Sequence, residues 1–151
     1  MFKGYKIAAL CAAKIYEDHW CDLIEGLNSV LSANGWRLLI YSTDSDLYYK
    51  TRSDDGEASV FDMIDLSITD AVLIAANSLY SDRFKDRIYA GCREQGIPAF
   101  TIDNVREGSI SIRFDYEAGF EDVVRHMIEH HGVTDIRMIA GLRTRRFRMC
   151  A

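Results

Sequence analysis

The chain is organised around a short apolar run close to its start, which is followed at once by a long amphipathic segment. Ile7–Ala13 reads IAALCAA and has the length of a buried strand. Lys14 ends the run, and Glu17 and Asp18 then introduce a helix, since acidic side chains are favourable at a helix N-terminus. A buried strand that enters a helix through a short loop is the first half of a βαβ unit. In open sheets built from such units, ligands bind at the loops that follow the carboxyl ends of the strands.

Apolar runs alternate with helical patterns along the rest of the chain. The further predicted strands are Trp36–Tyr41, Ala71–Ala76, Ala99–Ile102, the alternating residues Ile110, Ile112 and Phe114, and Ile136–Ala140. The predicted helices between them carry apolar stripes at Trp20, Leu23, Ile24, Leu27, Val30 and Leu31, at Val60, Phe61, Ile64 and Ile68, and at Phe84, Ile88 and Cys92. This alternation predicts an α/β fold of three layers, in which a doubly wound, mostly parallel sheet has helices on both faces.

Capping residues mark the expected ends of the helices. Asparagine and glycine tolerate the left-handed backbone of a C-terminal cap, and they are expected to end three helices, at Asn34 with Gly35, at Gly96 and at Gly132. Ser81 and Asp115 are expected to cap the helices that follow them. The polar segment Ser42–Asp55 is expected to form a loop.

The charge of the chain is unevenly distributed. The net charge is −5, but the last nine residues carry four arginines and no acidic side chain, which leaves −9 on residues 1–142. Such an acidic body lacks the electrostatic footprint of a nucleic-acid-binding surface. The four cysteines lie far apart, no apolar run is long enough to span a membrane, and we therefore expect reduced thiols and a cytoplasmic location.

Several segments carry a resemblance to a known family through their order and spacing. They are Leu23–Leu27 with Asn34–Ile40, Asp70–Ile74, Gly96–Asp103, Asp115–Gly119, and His126–Ile128 with Gly132 and Ile136–Gly141. In these segments the chain resembles the first lobe of the periplasmic-binding-protein-like sensor domains of LacI/GalR-type regulators. The resemblance implies a type I fold of that kind present as a single lobe. Residues 1–142 would be the Rossmann-like N-terminal lobe of a ligand-sensing domain, and 143–151 an Arg-rich tail at which the family pattern is cut short.

The chain departs from that family at its two ends. No helix-turn-helix precedes Lys6, and the second lobe that would complete the ligand cleft is missing, so we expect neither a DNA-binding nor an output module. The tyrosine-rich segment and the residues Gly56, Glu57, Phe61, Ile64 and Asp65 are similar to sensor domains that are joined to diguanylate cyclases. Such a cyclase would lie outside this chain.

The resemblance also implies a ligand site at the loops after the first, third, fourth and sixth strands. The corresponding ligand-binding residues are Lys14, Ile15, Tyr16, Asn77, Asp103, Asn104 and Arg145. A ring such as that of Tyr16 can stack on a sugar or a base, and Lys14 and Arg145 are suited to an anionic group. The alternative is that Tyr16 packs on the first helix and that these charges are merely solvated.

Catalytic and metal chemistry find little support in the sequence. No G-x-G-x-x-G follows the first strand, and no Walker A run or nucleophile elbow is present. His126, His130 and His131 lie close together, but no cysteine or carboxylate is spaced to complete a metal site, and cations near a helix C-terminus are stabilised by its dipole. We therefore expect no enzyme activity, no catalytic residue, no cofactor and no metal.

The sequence predicts a regulatory domain that senses a small polar molecule, sugar-like or nucleoside-like, within a transcriptional regulator or signalling protein. Ligand binding is expected to be weak without a second lobe, and apolar surface left uncovered by that lobe favours a homodimer. No direct contact with nucleic acid or membrane is expected. Two alternatives stay open, a flavodoxin-like FMN protein, which would be yellow when purified, and a domain that acts in dimerisation alone.

Overall fold

The computed structural model describes residues 4–49 and 51–137. In chain order its elements are β1 (Lys6–Ala13), α1 (Asp18–Ala33), β2 (Trp36–Thr43), α2 (Arg52–Ala58), a 3-10 helix (Ser59–Met63), β3 (Ala71–Ile74), α3 (Asp82–Gln95), β4 (Ala99–Ile102), β5 (Ile110–Ile112) and α4 (Tyr116–Glu129). The chain divides into two compact units, Met1–Phe114 and Asp115–Ala151. The first contains the sheet and the second contains α4.

The described residues form a sheet of five strands, which all run parallel in the order β2-β1-β3-β4-β5. β1 lies between β2 and β3, with Lys6 opposite Trp36 and Ala8 opposite Ala71. The chain leaves β1 towards β2 on one side and returns past it to β3 on the other, which is the doubly wound arrangement. The predicted fold class is therefore confirmed. Because the strands are parallel, the loops after β1, β2 and β3 emerge as neighbours at one edge of the sheet.

The side chains of β1 alternate between two apolar layers. Ala8, Leu10 and Ala12 pack with Trp20 of α1 and with Leu73 on one face of the sheet. Ala9, Cys11 and Ala13 face the opposite layer, which contains buried side chains of α3 and of the 3-10 helix, including Phe61, Phe84, Ile88 and Cys92. Every residue from Ile7 to Ala13 is at most 2% exposed. A strand buried on both faces reads as a continuous apolar run, which explains the composition of this segment.

Several boundaries differ from those the sequence predicts. β2 continues to Thr43 and α2 begins at Arg52, so the predicted loop over Ser42–Asp55 is wrong at both ends. The start of α2 is set by a capping box, in which the Thr51 hydroxyl accepts from the Asp54 N–H and the Asp54 carboxylate accepts from the Thr51 N–H. This box is a local signal that the apolar periodicity does not contain.

The second predicted helix and the third predicted strand both end early. The helical segment stops at Met63, so Ile64 and Ile68 lie outside it, and Ile68 is 44% exposed. β3 stops at Ile74 because the chain turns there, with the Ala76 N–H donating to the Ile74 carbonyl at 2.9 Å. Apolar character alone did not predict that turn.

Smaller differences concern single residues. Val30 is 65% exposed, because it lies at the margin of the α1 stripe. Ser81 precedes α3 as predicted, but its side chain makes no capping hydrogen bond. Phe114 lies outside β5. Asp115 does cap α4, where its carboxylate accepts from the Ala118 N–H at 3.0 Å.

The last predicted elements fall partly beyond the described residues. The sequence predicts that His130 and His131 lie in the last turn of α4. The helix instead ends at Glu129, and His130 is its C-cap. Residues 138–140 of the predicted last strand, and Arg145, lie outside the described residues. Within the described ranges, no helix combines the length and apolarity needed to cross a membrane.

Candidate functional site

Hydrogen bonds donated by the backbone of β1 and its loop connect the ends of β1, β2 and β3 at the carboxyl edge of the sheet. The Lys14 N–H donates to the Thr43 carbonyl at 2.9 Å, and the Ala13 N–H donates to the Ser78 hydroxyl at 3.0 Å. Lys14 has a left-handed backbone, with φ at 52°. This conformation is unfavourable for a residue with a side chain, and surrounding contacts must hold it in place.

A cavity of about 250 Å³ opens between these three loops. It is lined by Ala13, Lys14, Glu17, His19, Trp20, Asp46, Asn77, Ser78 and Tyr80. Most of these side chains are polar, and each of the three loops supplies at least one of them. The cavity can therefore offer a ligand both hydrogen-bond donors and hydrogen-bond acceptors.

An ion pair lies in this cavity. The Lys14 ammonium donates to an Asp46 carboxylate oxygen at 3.1 Å, and both side chains are about one third exposed. The hydrogen bond and the negative charge of Asp46 raise the pKa of Lys14 above its ordinary value. Lys14 is therefore protonated at neutral pH, and its charge is compensated within the protein.

Asp46 is held in position from both sides. Its backbone carbonyl accepts from the Tyr80 N–H at 2.9 Å, which ties the loop after β2 to the loop after β3. The neighbouring residue Ser45 donates its N–H to the Glu57 carboxylate at 2.7 Å and its hydroxyl to Asp54 at 3.0 Å. Leu47, which is 1% exposed and has a φ of 60°, anchors the loop in the core.

Three tyrosine rings lie together beside this loop. Tyr48 meets Tyr49 and Tyr80 edge to face, with centroid distances of 5.3 and 5.8 Å. All three side chains are substantially exposed. Tyr80 lines the cavity, so the rim of the cavity includes an aromatic surface on which an apolar ring face can stack.

A second cavity, of about 290 Å³, shares Tyr80 with the first. It is lined by Leu47, Asp54, Asp55, Tyr80, Ser81, Asp82, Arg83 and Phe84. The buried Asp54 carboxylate accepts hydrogen bonds from Thr51 and Ser45, and Arg83 pairs with Asp55 at 3.4 Å. These polar groups already serve the structure of α2 and its loop.

The structure brings some of the residues singled out from the sequence into one place and leaves others apart. Lys14 and Asn77 both line the first cavity. Ile15 instead packs against the apolar layer that includes Trp20. Tyr16 is 64% exposed and is not among the lining residues.

The two residues after β4 lie outside the cavity lining. Asp103 has a left-handed backbone, with φ at 57°, and its N–H donates to the Ile112 carbonyl at 2.8 Å. The Asn104 side chain accepts from the Val105 N–H at 2.8 Å. Both residues thus shape the turn between β4 and β5.

Sequence reasoning did not single out five side chains of the cavity, namely Glu17, His19, Asp46, Ser78 and Tyr80. A signal for Asp46 was present, since it lies in the polar segment that follows the second strand. The sequence does not show that this segment lies next to Lys14, and the strand order explains why it does. β2 is the direct neighbour of β1, so the loop after it reaches Lys14.

Metal-ligating and thiol groups contribute little to this site. Among residues 4–49 and 51–137, no group of three or more histidine, cysteine or acidic side chains is arranged to hold a metal ion. Cys11 and Cys92 are buried free thiols, and burial raises the pKa of each. Both thiols are therefore protonated and unreactive at neutral pH.

Comparison of sequences gives no match. No protein-family model matches the chain, and no curated protein sequence matches it.

Comparison of structures identifies the fold. A LacI family transcriptional regulator from Lactobacillus casei, solved with bound glucose, superposes with a TM-score of 0.56 at 15% identity, covering 83% of this chain and 43% of that one. An ABC transporter solute-binding protein from Clostridium phytofermentans, solved with bound β-D-glucose, superposes with a TM-score of 0.61 at 13% identity. The match covers 86% of this chain and 39% of that protein. The chain thus spans about two fifths of the length of either protein. At this identity the likeness concerns the fold alone, and that fold is one periplasmic-binding-protein-like lobe.

Proposed function

We propose that this chain is one lobe of a sensor for a small, uncharged, hydroxyl-rich molecule such as a sugar. The observation that carries the proposal is the polar cavity at the carboxyl edge of the sheet, which Lys14, Asp46, Asn77 and Ser78 line. Open α/β sheets bind ligands at this edge. The strained backbone of Lys14 adds support, because strain of this kind clusters at functional sites.

The charges of the cavity favour a neutral ligand over an anionic one. Glu17 and Asp46 supply two carboxylates, and the ammonium of Lys14 is already paired with Asp46. A phosphate or carboxylate would have to compete with Asp46 for Lys14 while facing Glu17. Sugar hydroxyl groups can donate to the carboxylates and accept from Lys14 and Asn77 without that competition.

The two structural neighbours support the same class of ligand, since both were solved with glucose. The exposed rings of Tyr48 and Tyr80 offer a stacking surface at the rim, which suits a sugar or the base of a nucleoside. An FMN protein receives less support, because its phosphate would face the carboxylates of Glu17 and Asp46.

The regulatory role belongs to the same proposal. In a two-lobed sensor, a ligand that contacts both lobes favours the closed arrangement and can thereby bias an attached output. A DNA-binding domain or a diguanylate cyclase could be such an output, and the lobe itself would perform no chemistry.

We further propose a homodimer in the cytoplasm, where the free thiols of Cys11, Cys21 and Cys92 would stay reduced.

The proposal is tested by titrating the isotope-labelled chain with β-D-glucose, other neutral sugars and a nucleoside, and following backbone amide shifts by NMR. One lobe supplies only part of the contacts of a closed cleft, so we expect millimolar affinity. Shifts should concentrate in the loops after β1, β2 and β3.

Two asparagines that follow strands of the sheet provide a matched pair of variants. Asn77→Ala removes a lining side chain and should weaken binding, whereas Asn104→Ala changes a residue outside the lining and should leave binding unchanged. If no sugar or nucleoside shifts the amides of these three loops at millimolar concentration, the proposed function is wrong.

A further inference from the structure

Three histidine rings lie together at the end of α4. The ring centroid of His126 is 4.8 Å from that of His130 and 5.0 Å from that of His131. The Nε2 atoms of His126 and His131 are 3.2 Å apart. All three residues are exposed, so the cluster is accessible to solutes.

The backbone fixes the relation of His131 to the helix. The His130 N–H donates to the His126 carbonyl at 2.9 Å, and the Gly132 N–H donates to the Ile128 carbonyl at 3.1 Å. Gly132 takes a left-handed conformation, with φ at 62°, and the Val133 N–H then returns to the Met127 carbonyl at 3.1 Å. This is the hydrogen-bond pattern of a helix that closes on a left-handed glycine. The turn holds His131 next to His126.

The spacing of the two nitrogens is the spacing that a chelated metal ion needs. Zinc binds histidine nitrogen at about 2.0–2.1 Å with tetrahedral geometry, which places two such nitrogens about 3.3 Å apart. We propose that His126 and His131 chelate a divalent transition-metal ion of the zinc type through their Nε2 atoms. Imidazole nitrogen is a preferred ligand of Zn²⁺, Ni²⁺ and Cu²⁺.

The proposal departs from the sequence-based expectation that these histidines hold no metal. The sequence suggests His126 and His130 as the closest pair, since they are four apart in a predicted helix. Because α4 ends at Glu129, the pair with adjacent Nε2 atoms is instead His126 and His131. Among the described residues no third ligand joins them, so water would complete the coordination shell.

No uncompensated positive charge from the neighbouring Arg125 would repel a metal ion bound by His126 and His131. The neighbouring Arg125 guanidinium is held by Glu121 at 2.6 Å and by Asp122 at 2.8 Å, so its positive charge is compensated. In the metal-free protein one imidazole can donate its Nε2–H to the other at the observed distance. A bound ion would take both Nε2 lone pairs, and the imidazole that had donated would then carry its hydrogen on Nδ1.

The experiment is a titration of the untagged full chain with ZnCl₂, followed by calorimetry and by NMR of the histidine rings. We expect one site, with shifts at the Nε2 atoms of His126 and His131. His126→Ala and His131→Ala should each weaken binding by at least about tenfold. His19→Ala, which removes an exposed histidine of α1, should leave it unchanged.

Circular dichroism would verify that each variant keeps its helix content. The proposal is overturned if the wild-type chain binds Zn²⁺ no more tightly than the His126→Ala/His131→Ala double variant. A loss of binding in His130→Ala as large as that in the other two single variants would also overturn the two-ligand assignment.

Discussion

Left-handed backbone at residues other than glycine is concentrated in the loops that follow strands. Among the described residues, Lys14, Leu47 and Asp103 have positive φ, and they follow β1, β2 and β4 respectively. Such conformations cost about 1–3 kcal/mol each when the residue carries a side chain. The burial of Leu47 and the ion pair of Lys14 with Asp46 stabilise two of these left-handed conformations. The edge of the sheet where ligands bind in this fold is therefore also where backbone strain is stored.

The buried thiols illustrate how burial of a single residue connects stability with pH. Cys11 is fully buried in β1, and burial, followed by the nearby Cys92, raises its pKa. In the unfolded chain a cysteine ionises at about pH 8.5. Above that pH the unfolded state loses a proton that the folded state retains, so the free energy of unfolding must fall as the pH rises.

We expect the free energy of unfolding to decline between about pH 8.5 and pH 10, by up to about 1.4 kcal/mol per pH unit for each such thiol. Cys11→Ala should make this decline shallower, because it removes one of these thiols. Cys21→Ala removes an exposed cysteine and serves as the control. Urea unfolding in the presence of a reductant, at a series of pH values, measures the slopes. Equal slopes for Cys11→Ala and the wild type would contradict the explanation.

At the scale of elements, the starts of α2 and α3 show that two hydroxyl residues at the same helix position can have different roles. Thr51 and Asp54 form a reciprocal capping box at the start of α2. Asp54 also accepts from Ser45, which precedes the cavity residue Asp46. The start of α2 is thus linked to the loop that completes the cavity. Ser81 stands at the equivalent position of α3 but makes no capping hydrogen bond through its side chain.

Thr51→Ala should therefore lower the free energy of unfolding by about 1 kcal/mol, the usual cost of a lost N-cap. Ser81→Ala should cost less than Thr51→Ala, because no capping hydrogen bond of the side chain is lost. Chemical unfolding of the two variants beside the wild type measures both effects. An equal or greater loss for Ser81→Ala would show that capping does not account for the difference.

At the scale of the whole molecule, stability should be greatest around β1. This strand is paired on both sides and buried on both faces, whereas β5 pairs with β4 alone among the strands of residues 4–49 and 51–137. Opening free energies in proteins range from near zero in frayed segments to the global value in core strands. Two of the three loops that line the cavity follow β1 and β3, which are paired on both sides, and this gives the site a rigid base.

Native-state hydrogen exchange should show this gradient within a single sample. We expect the amides of β1 and β3 to exchange slowest, with opening free energies at least about 2 kcal/mol above those of β5. Mass spectrometry of peptides, or NMR of individual amides, provides the measurement. Similar exchange rates in β1 and β5 would mean that the sheet opens as one unit.

Much of the fold could be predicted from the sequence because periodicity is a local property. The uninterrupted apolar run Ile7–Ala13 indicated a buried strand, and Lys14 was placed at its carboxyl end. The alternation of strands and helices then determined the parallel sheet. The capping box at Thr51 and the turn after Ile74 were missed, since each depends on a few hydrogen bonds rather than on a pattern of apolar residues.

The sequence by itself determined the α/β class, the central strand, and Lys14 and Asn77 as residues that follow strands. Tertiary structure alone decided which loops meet. Asp46 reaches Lys14 because β2 pairs with β1, and His131 meets His126 because α4 ends at Glu129 and Gly132 reverses the chain. Local composition specifies the elements, whereas contacts between residues distant in sequence depend on the order in which those elements pack and on where each one ends.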